Sequence, residues 1–145
     1  MKLSTKSRYG TRLMLELAIR QPEGFILLGD IARSQNISEK YLWQLASSLK
    51  AAGLVNAQRG VKGGFTLAKP ANDITVKDIV SVLEGQIGLV DCQGCDKEGC
   101  ITSDIWKEAS AAIERVFSSY KLSDMAEKAV RMRAKRKNGY AAFGV

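Results

Sequence analysis

One helical stripe followed at once by a glycine-rich hairpin constrains this chain more than any other feature. Leu42, Leu45, Ala46 and Leu49 recur at i, i+3, i+4 and i+7, the spacing of a helix with one buried face. Ser38 stands at the N-cap position and Glu39 follows in the first turn, where the helix dipole favours a negative charge. Gly53 ends the helix. Upstream, Gly29 to Ser34 reads as a short helix and Gln35-Asn36-Ile37 as a tight turn, with Asn tolerating the left-handed conformation. Downstream, Leu54 to Gln58 and Gly64 to Ala68 read as two strands joined by Arg59-Gly60-Val61-Lys62-Gly63. A short helix, a turn, a longer helix and then a hairpin is a winged helix-turn-helix. The expected fold class is mainly α with a small β-hairpin.

The outward face of the longer helix carries Lys40, Trp43, Gln44, Ser47 and Lys50. Lysines there can meet phosphates, and Gln44 can read an adenine edge. Arg59 and Lys62 sit on a hairpin tip whose glycines permit close approach to a groove. Each feature alone also fits an ordinary solvated surface. Charge favours the nucleic-acid reading: residues 1–70 hold 11 Lys/Arg against 4 Asp/Glu within a net charge of +7. Residues 71–100 reverse the sign, with 2 against 6, and residues 101–145 return to 9 against 5.

The N-terminal segment Thr5 to Arg20 reads as a helix with Tyr9, Leu13, Leu17 and Ala18 inward and Met14 at the edge; Gln21-Pro22-Glu23-Gly24 stops it. Phe25 to Leu28 reads as extended. After a linker at Pro70 to Asp73, Thr75 and Asp78 form a capping pair, with Ile74 and Ile79 placed as a hydrophobic staple. That helix runs to about Leu83, with Val76, Ile79, Val80 and Leu83 inward. Later, Thr102 or Ser103 caps a long helix to about Tyr120. Its apolar set is Ile105, Trp106, Ala109, Ala112, Ile113, Val116, Phe117 and Tyr120. A stripe that wide fits pairing with the same helix of a second chain; folding back onto the chain's own winged helix is the other way to cover it. Ser123 caps a last helix that turns basic at Arg131, Arg133, Lys135, Arg136 and Lys137. The expected organisation is a winged-helix unit at 1–70, a bracing helix and cysteine loop at 71–101, and a dimerisation helix with a C-terminal helix at 102–145.

All three cysteines fall at 92, 95 and 100, and the chain contains no histidine. No apolar run reaches the ~20 residues a membrane span needs, and no apolar segment follows the basic N-terminus. The expected location is the cytoplasm, associated with the nucleoid, where clustered thiols serve metals or redox sensing rather than structural disulfides. The spacing of Cys92, Cys95 and Cys100 suits an iron–sulfur cluster with one site left open or filled by oxygen, from Ser103, Asp104, Asp91, Asp96, Glu98 or a partner chain. Zinc on three thiolates plus a carboxylate or water, a Cys92–Cys95 disulfide switch, and a loop that binds nothing remain open. With no histidine, nucleophile elbow or phosphate loop, an enzyme is not expected.

Several motifs together resemble a known family. Met1-Lys2-Leu3-Ser4 with Arg8-Tyr9-Gly10, Ile37-Ser38-Glu39-Lys40-Tyr41-Leu42 with Gln44-Leu45, Gly53-Leu54-Val55, Arg59-Gly60 and Gly63-Gly64-Phe65 occur in order. So do Cys92-Gln93-Gly94 and Cys100-Ile101-Thr102, followed by Trp106. The chain is similar throughout to the Rrf-type winged-helix regulators, which include IscR, NsrR and CymR. The resemblance implies a homodimer with swapped or crossed long helices on a near-palindromic operator. It adds Arg8, Ser38 and Tyr41 to the DNA-binding set. It implies a labile cluster on Cys92, Cys95 and Cys100, [2Fe-2S] favoured over [4Fe-4S], that senses iron–sulfur or redox status. Ser103 occupies the position of the histidine ligand of IscR-type proteins, and Arg8 that of the carboxylate ligand of NsrR-type proteins. Trp43 replaces an acidic residue of IscR. A zinc or thiol switch of the same fold is the alternative, and an iron–sulfur carrier that merely retains the scaffold is a further one.

Overall fold

In the computed structural model, which describes residues 2–90 and 100–142, the chain runs through six α-helices and one hairpin. These are α1 (Thr5–Ile19), α2 (Leu28–Gln35), α3 (Glu39–Ala51), β1 (Val55–Gln58), β2 (Gly64–Leu67), α4 (Val76–Glu84), α5 (Ser103–Ser119) and α6 (Leu122–Ala142). Asn36 takes the left-handed conformation between α2 and α3, at φ 53° and ψ 50°. Ser38 accepts the amide of Tyr41 and caps α3. Leu42, Leu45, Ala46 and Leu49 are all buried, as the stripe predicts.

The hairpin pairs Val55 with Leu67 and Gln58 with Gly64. Ile26 and Phe65 exchange both backbone hydrogen bonds at 2.8 Å, so the extended stretch before α2 docks as a third, single-residue bridge. Gly64 makes that docking possible. A Cβ there would lie 2.4 Å from the Ile26 carbonyl oxygen, and its φ of +139° disfavours any side chain.

α1 is the hub, because α3, α4 and α6 all pack against it. The buried arc is therefore wider than its apolar residues alone suggest. Met14, expected at the edge, is fully buried, and the charged Glu16 is only 4% exposed. Gln35 at the end of α2 donates to Glu16 Oε1 at 3.0 Å, and the Arg133 guanidinium of α6 pairs with the same oxygen. Leaving such a buried carboxylate unpaired costs about 3–5 kcal/mol. Arg133, one of the basic cluster near the C-terminus, thus ties α6 to the helix-turn-helix. Leu122 and Ala126 complete that packing.

The Thr75–Asp78 capping box forms, and Ile74 and Ile79 are both fully buried beneath it. At the other end of α4, Glu84 accepts from the Ser4 amide at 3.1 Å, from the Ser4 hydroxyl, and from Ser7 Oγ at 2.7 Å. The Ser4 bond first, then the Ser7 bond, holds the Glu84 carboxyl below the ordinary carboxylate value. The ionised form therefore favours the fold. That contribution is complete above the unfolded carboxylate pKa of about 4.3 and is lost as pH falls through the lower folded value. Glu84→Gln is expected to lower the urea midpoint near neutral pH, and parent and variant should converge in acid. Equal midpoints at neutral pH would remove this network from the stability of the fold.

α5 leans one edge on α4, where Lys77 pairs with Glu114, and the segment after α4 adds a bond from the Leu89 amide to Ser110 Oγ at 3.1 Å. Thr102 sits at its N-cap, but with helical dihedrals and no capping bond. Neither Thr102 nor Ser103 caps α5, contrary to expectation, because the Thr102 hydroxyl lies against Cys100 Sγ instead. Ser123, expected to cap the last helix, is already inside α6. Backbone pairing starts that helix earlier: Val76 N donates to Tyr120 O at 3.0 Å and Leu122 N to Ile74 O at 2.8 Å. Among the described residues no helix is long and apolar enough to cross a membrane.

Candidate nucleic-acid interface and cysteine loop

α3 presents Ser38, Lys40, Trp43, Gln44, Ser47 and Lys50 to solvent. Its inward stripe docks on the core, which fixes the rotation of the helix and hence this outward set. Trp43 is half-exposed, at 50%, with its ring edge-on to Phe65 of β2 at 5.2 Å between centroids. The indole thus sets the spacing between α3 and the wing as well as facing outward. Trp43, Ser47, Lys50 and Arg59 line one cleft of about 670 Å³ between α3 and the hairpin. Gln58, which the sequence reading passed over, lines the same cleft from the end of β1. Ser47 Oγ donates to the Trp43 carbonyl at 2.8 Å, so its lone pairs face outward. Lys62 does not join this group; it lines a separate hollow with Arg20, Glu23 and Asp30. In the wing turn, a Cβ on Gly63 would lie 2.2 Å from the Gln58 carbonyl oxygen, which explains glycine there. Tyr41 is half-buried and turned toward α1, and Arg8 is exposed on α1 beside it.

Of the three thiols, Cys100 is the one within the described residues; Cys92 and Cys95 lie outside them. Cys100 is partly exposed, its Sγ is 3.6 Å from Thr102 Oγ1, and its carbonyl accepts the Ser103 amide at 3.1 Å. The Thr102 contact draws the Cys100 thiol below its ordinary value, which favours the thiolate that metals bind. Ser103 lies in the first turn of α5, is only 8% exposed, and donates to Asp104 at 3.5 Å. Among the described residues no group of three or more His, Cys, Asp or Glu is placed to hold a metal ion. In chemical type the donor set fits an iron–sulfur group: three thiols, one already biased toward thiolate, and hydroxyl and carboxylate oxygens close in sequence.

Beyond the loop, the predicted apolar stripe of α5 is open in the single chain. Ile105 is 57% exposed, Val116 52% and Tyr120 55%, with Trp106 also exposed. Ala109, Ala112, Ile113 and Phe117 are half-buried. Ala112, Ile113, Val116 and Phe117 form one wall of a groove of about 630 Å³, with Leu3, Val80 and Leu89 opposite.

A basic recognition helix, a glycine-turned wing and a core that fixes both define a winged helix-turn-helix DNA-binding protein. Residues 3–128 match the Rrf2 family, described as an iron-dependent transcriptional regulator, and the chain belongs to that family. It is 42% identical over 126 residues to the HTH-type transcriptional regulator CymR of Bacillus subtilis, covering 87% of this chain and 90% of CymR. The solved structure of that protein, a global cysteine regulator, superposes with a TM-score of 0.78 at 41% identity, covering 88% of this chain and 98% of the other. The T. potens IscR structure superposes with a TM-score of 0.75 at 40% identity, covering 89% and 88%. The relatives are transcriptional regulators, so the expectation of a DNA-binding regulator rather than an enzyme holds.

Proposed function

We propose that this chain is a homodimeric regulator that reads a near-palindromic operator and changes its affinity with the state of the cysteine loop. The observation that carries this reading is the order of parts. A basic winged helix is followed by three thiols at 92, 95 and 100, and the last thiol sits three residues before an α5 whose apolar face is exposed. A ligand held by the loop is therefore next to the helix through which two copies pair.

In this reading Lys40, Lys50, Arg8 and Lys62 meet phosphates, with Ser38 and Tyr41 beside them. Gln44, Ser47 and Trp43 face base edges, and Arg59 enters a minor groove. Cys92, Cys95 and Cys100 hold an iron–sulfur cluster, [2Fe-2S] favoured, with Ser103 as the first candidate for the remaining position. When bound, such a group supplies a reversible redox and lability signal. Burial of Ser103 gives a hydroxyl in that position restricted access, which suits a weak fourth ligand. A zinc or thiol switch is the second reading. It is favoured by the likeness to CymR, a cysteine regulator.

Selection of duplexes from a random pool, followed by anisotropy titrations at several salt concentrations, tests the DNA part. Sequence-selective binding that weakens steeply with salt is expected. Arg59→Ala should weaken it and relax its preference for groove shape. No salt-sensitive selection in any redox state would end the proposal.

A further inference from the structure

Beside the recognition helix, the exposed face of α1 carries a cationic cluster of which the proposed interface uses only Arg8 and its neighbour Tyr41. Thr5, Arg8 and Arg12 recur at i, i+3 and i+7, on one face of α1. All three are exposed or nearly so. The Arg8 guanidinium carbon lies 6.0 Å from the Tyr9 ring centroid and that of Arg12 lies 5.8 Å from it. Among the described residues neither arginine forms an ion pair with a carboxylate. Arg20, Arg33, Arg131 and Arg133 each have an acidic partner, whereas among the described residues Arg59, Arg115 and Arg136 form no ion pair with a carboxylate either; what sets Arg8 and Arg12 apart is that they share one ring. Two like charges gathered at one aromatic ring, with no carboxylate between them, are stabilised by a shared anion.

The ring that gathers them is itself fixed. Tyr41, in the first turn of α3, meets Tyr9 edge-on at 5.9 Å and 85°. Tyr41 Oη lies 3.0 Å from Thr5 Oγ1. One hydroxyl of that pair donates to the other, which leaves one hydroxyl hydrogen for an acceptor outside the protein. The cluster therefore offers two guanidiniums and one O–H, and it is attached to the N-terminal end of the helix that enters the groove.

We propose that Thr5, Arg8, Arg12 and Tyr41 form a clamp for a DNA phosphodiester flanking the groove that α3 enters. Arg12 and Thr5 thereby join the interface as sequence-independent contacts, and Tyr9 is the positioning residue that holds the two guanidiniums together. The inference rests on the DNA-binding reading and adds a third element, α1, to the contact made by α3 and the wing. A phosphate contact adds affinity and salt dependence without adding base selectivity.

The test compares the parent, Arg12→Ala and Arg12→Lys by anisotropy on two probes across a range of KCl. One probe is a mixed-sequence duplex; the other is a duplex selected by the parent. Arg12→Ala should weaken both by about three- to tenfold, the effect of losing about 1 kcal/mol of net hydrogen bonding at an exposed site. Its log–log salt slope should fall by about 0.9 for each chain bound. The ratio between the two probes should not change, and Arg12→Lys should keep the parent slope. A scan of single methylphosphonates through the selected duplex should find a phosphate whose neutralisation weakens the parent but not Arg12→Ala. Arg12 is exposed, so unaltered thermal melting is expected to show that the variant keeps its fold. Parent-like affinity and slope in Arg12→Ala, or a loss confined to the selected duplex, would overturn the clamp. A parent that binds neither probe in a salt-sensitive way would instead remove the DNA-binding reading, and the clamp with it.

Discussion

Replacing Ile105 and Val116 together by glutamate is expected to convert the protein from dimer to monomer and to lower operator affinity by about 10²–10⁴-fold, the scale on which linking two binding units raises avidity. Both side chains are more than half exposed in the single chain, so its own core does not depend on them. They stand eleven residues apart on α5, three helical turns, and so lie on one face. Two charges on that face must be desolvated without partners if two copies are to pair there. Light scattering should report the monomer mass, and circular dichroism should report an unchanged helix content. The variant should still bind a single half-site weakly. A variant that stays dimeric would move the pairing surface elsewhere, and one that unfolds would mean that α5 serves its own winged helix.

The second large effect is expected at the thiols. Cys100→Ser should reduce the iron and sulfide retained after anaerobic reconstitution to near zero. It should also make operator affinity the same in reconstituted and chelator-treated protein. Serine offers an alkoxide only at high pH, whereas the Cys100 thiol is already drawn toward its thiolate by Thr102. Cys92→Ser and Cys95→Ser should behave alike, since three thiolates leave no redundancy. The readouts separate the two sensing readings. Loss of iron with loss of response supports the cluster; loss of response in a protein that never held iron supports the zinc or thiol switch.

How much of this was legible in the sequence depended on the range of the interactions involved. The Asn36 turn, the Ser38 cap, the α3 stripe and the Thr75–Asp78 box are set by residues within a few positions of one another. All of them form as read. The burial of Glu16 was not legible, because its partners are Gln35 and Arg133, on helices brought to α1 by tertiary packing. Arg133 shows the same limit: in the sequence it is one of a run of basic residues, and only its neighbour in space assigns it. Ser123 failed as a cap because Ile74, far along the chain, pairs with Leu122 and starts α6 early. At the interface, periodicity identified the outward face of α3. It did not show that Trp43 packs on Phe65, that Lys62 lies apart from the α3 cleft, or that Arg12 stands with Arg8 at one ring. Each of these depends on how two elements meet. The family motifs carried further than local rules, since they record such meetings indirectly. The cysteine spacing marked a candidate site, of which Cys100 and Ser103 fall within the described residues.

The central claim is that the state of the loop holding Cys92, Cys95 and Cys100 sets affinity for DNA. Its most direct test is one titration done twice: protein purified and reconstituted without oxygen, and the same preparation stripped with chelator, on one selected duplex at fixed salt. The account predicts a coloured, iron- and sulfide-bearing protein whose affinity differs from that of the stripped form by about 5- to 150-fold, a coupling of about 1–3 kcal/mol. A protein that holds no iron, or two titration curves that superimpose, would contradict it.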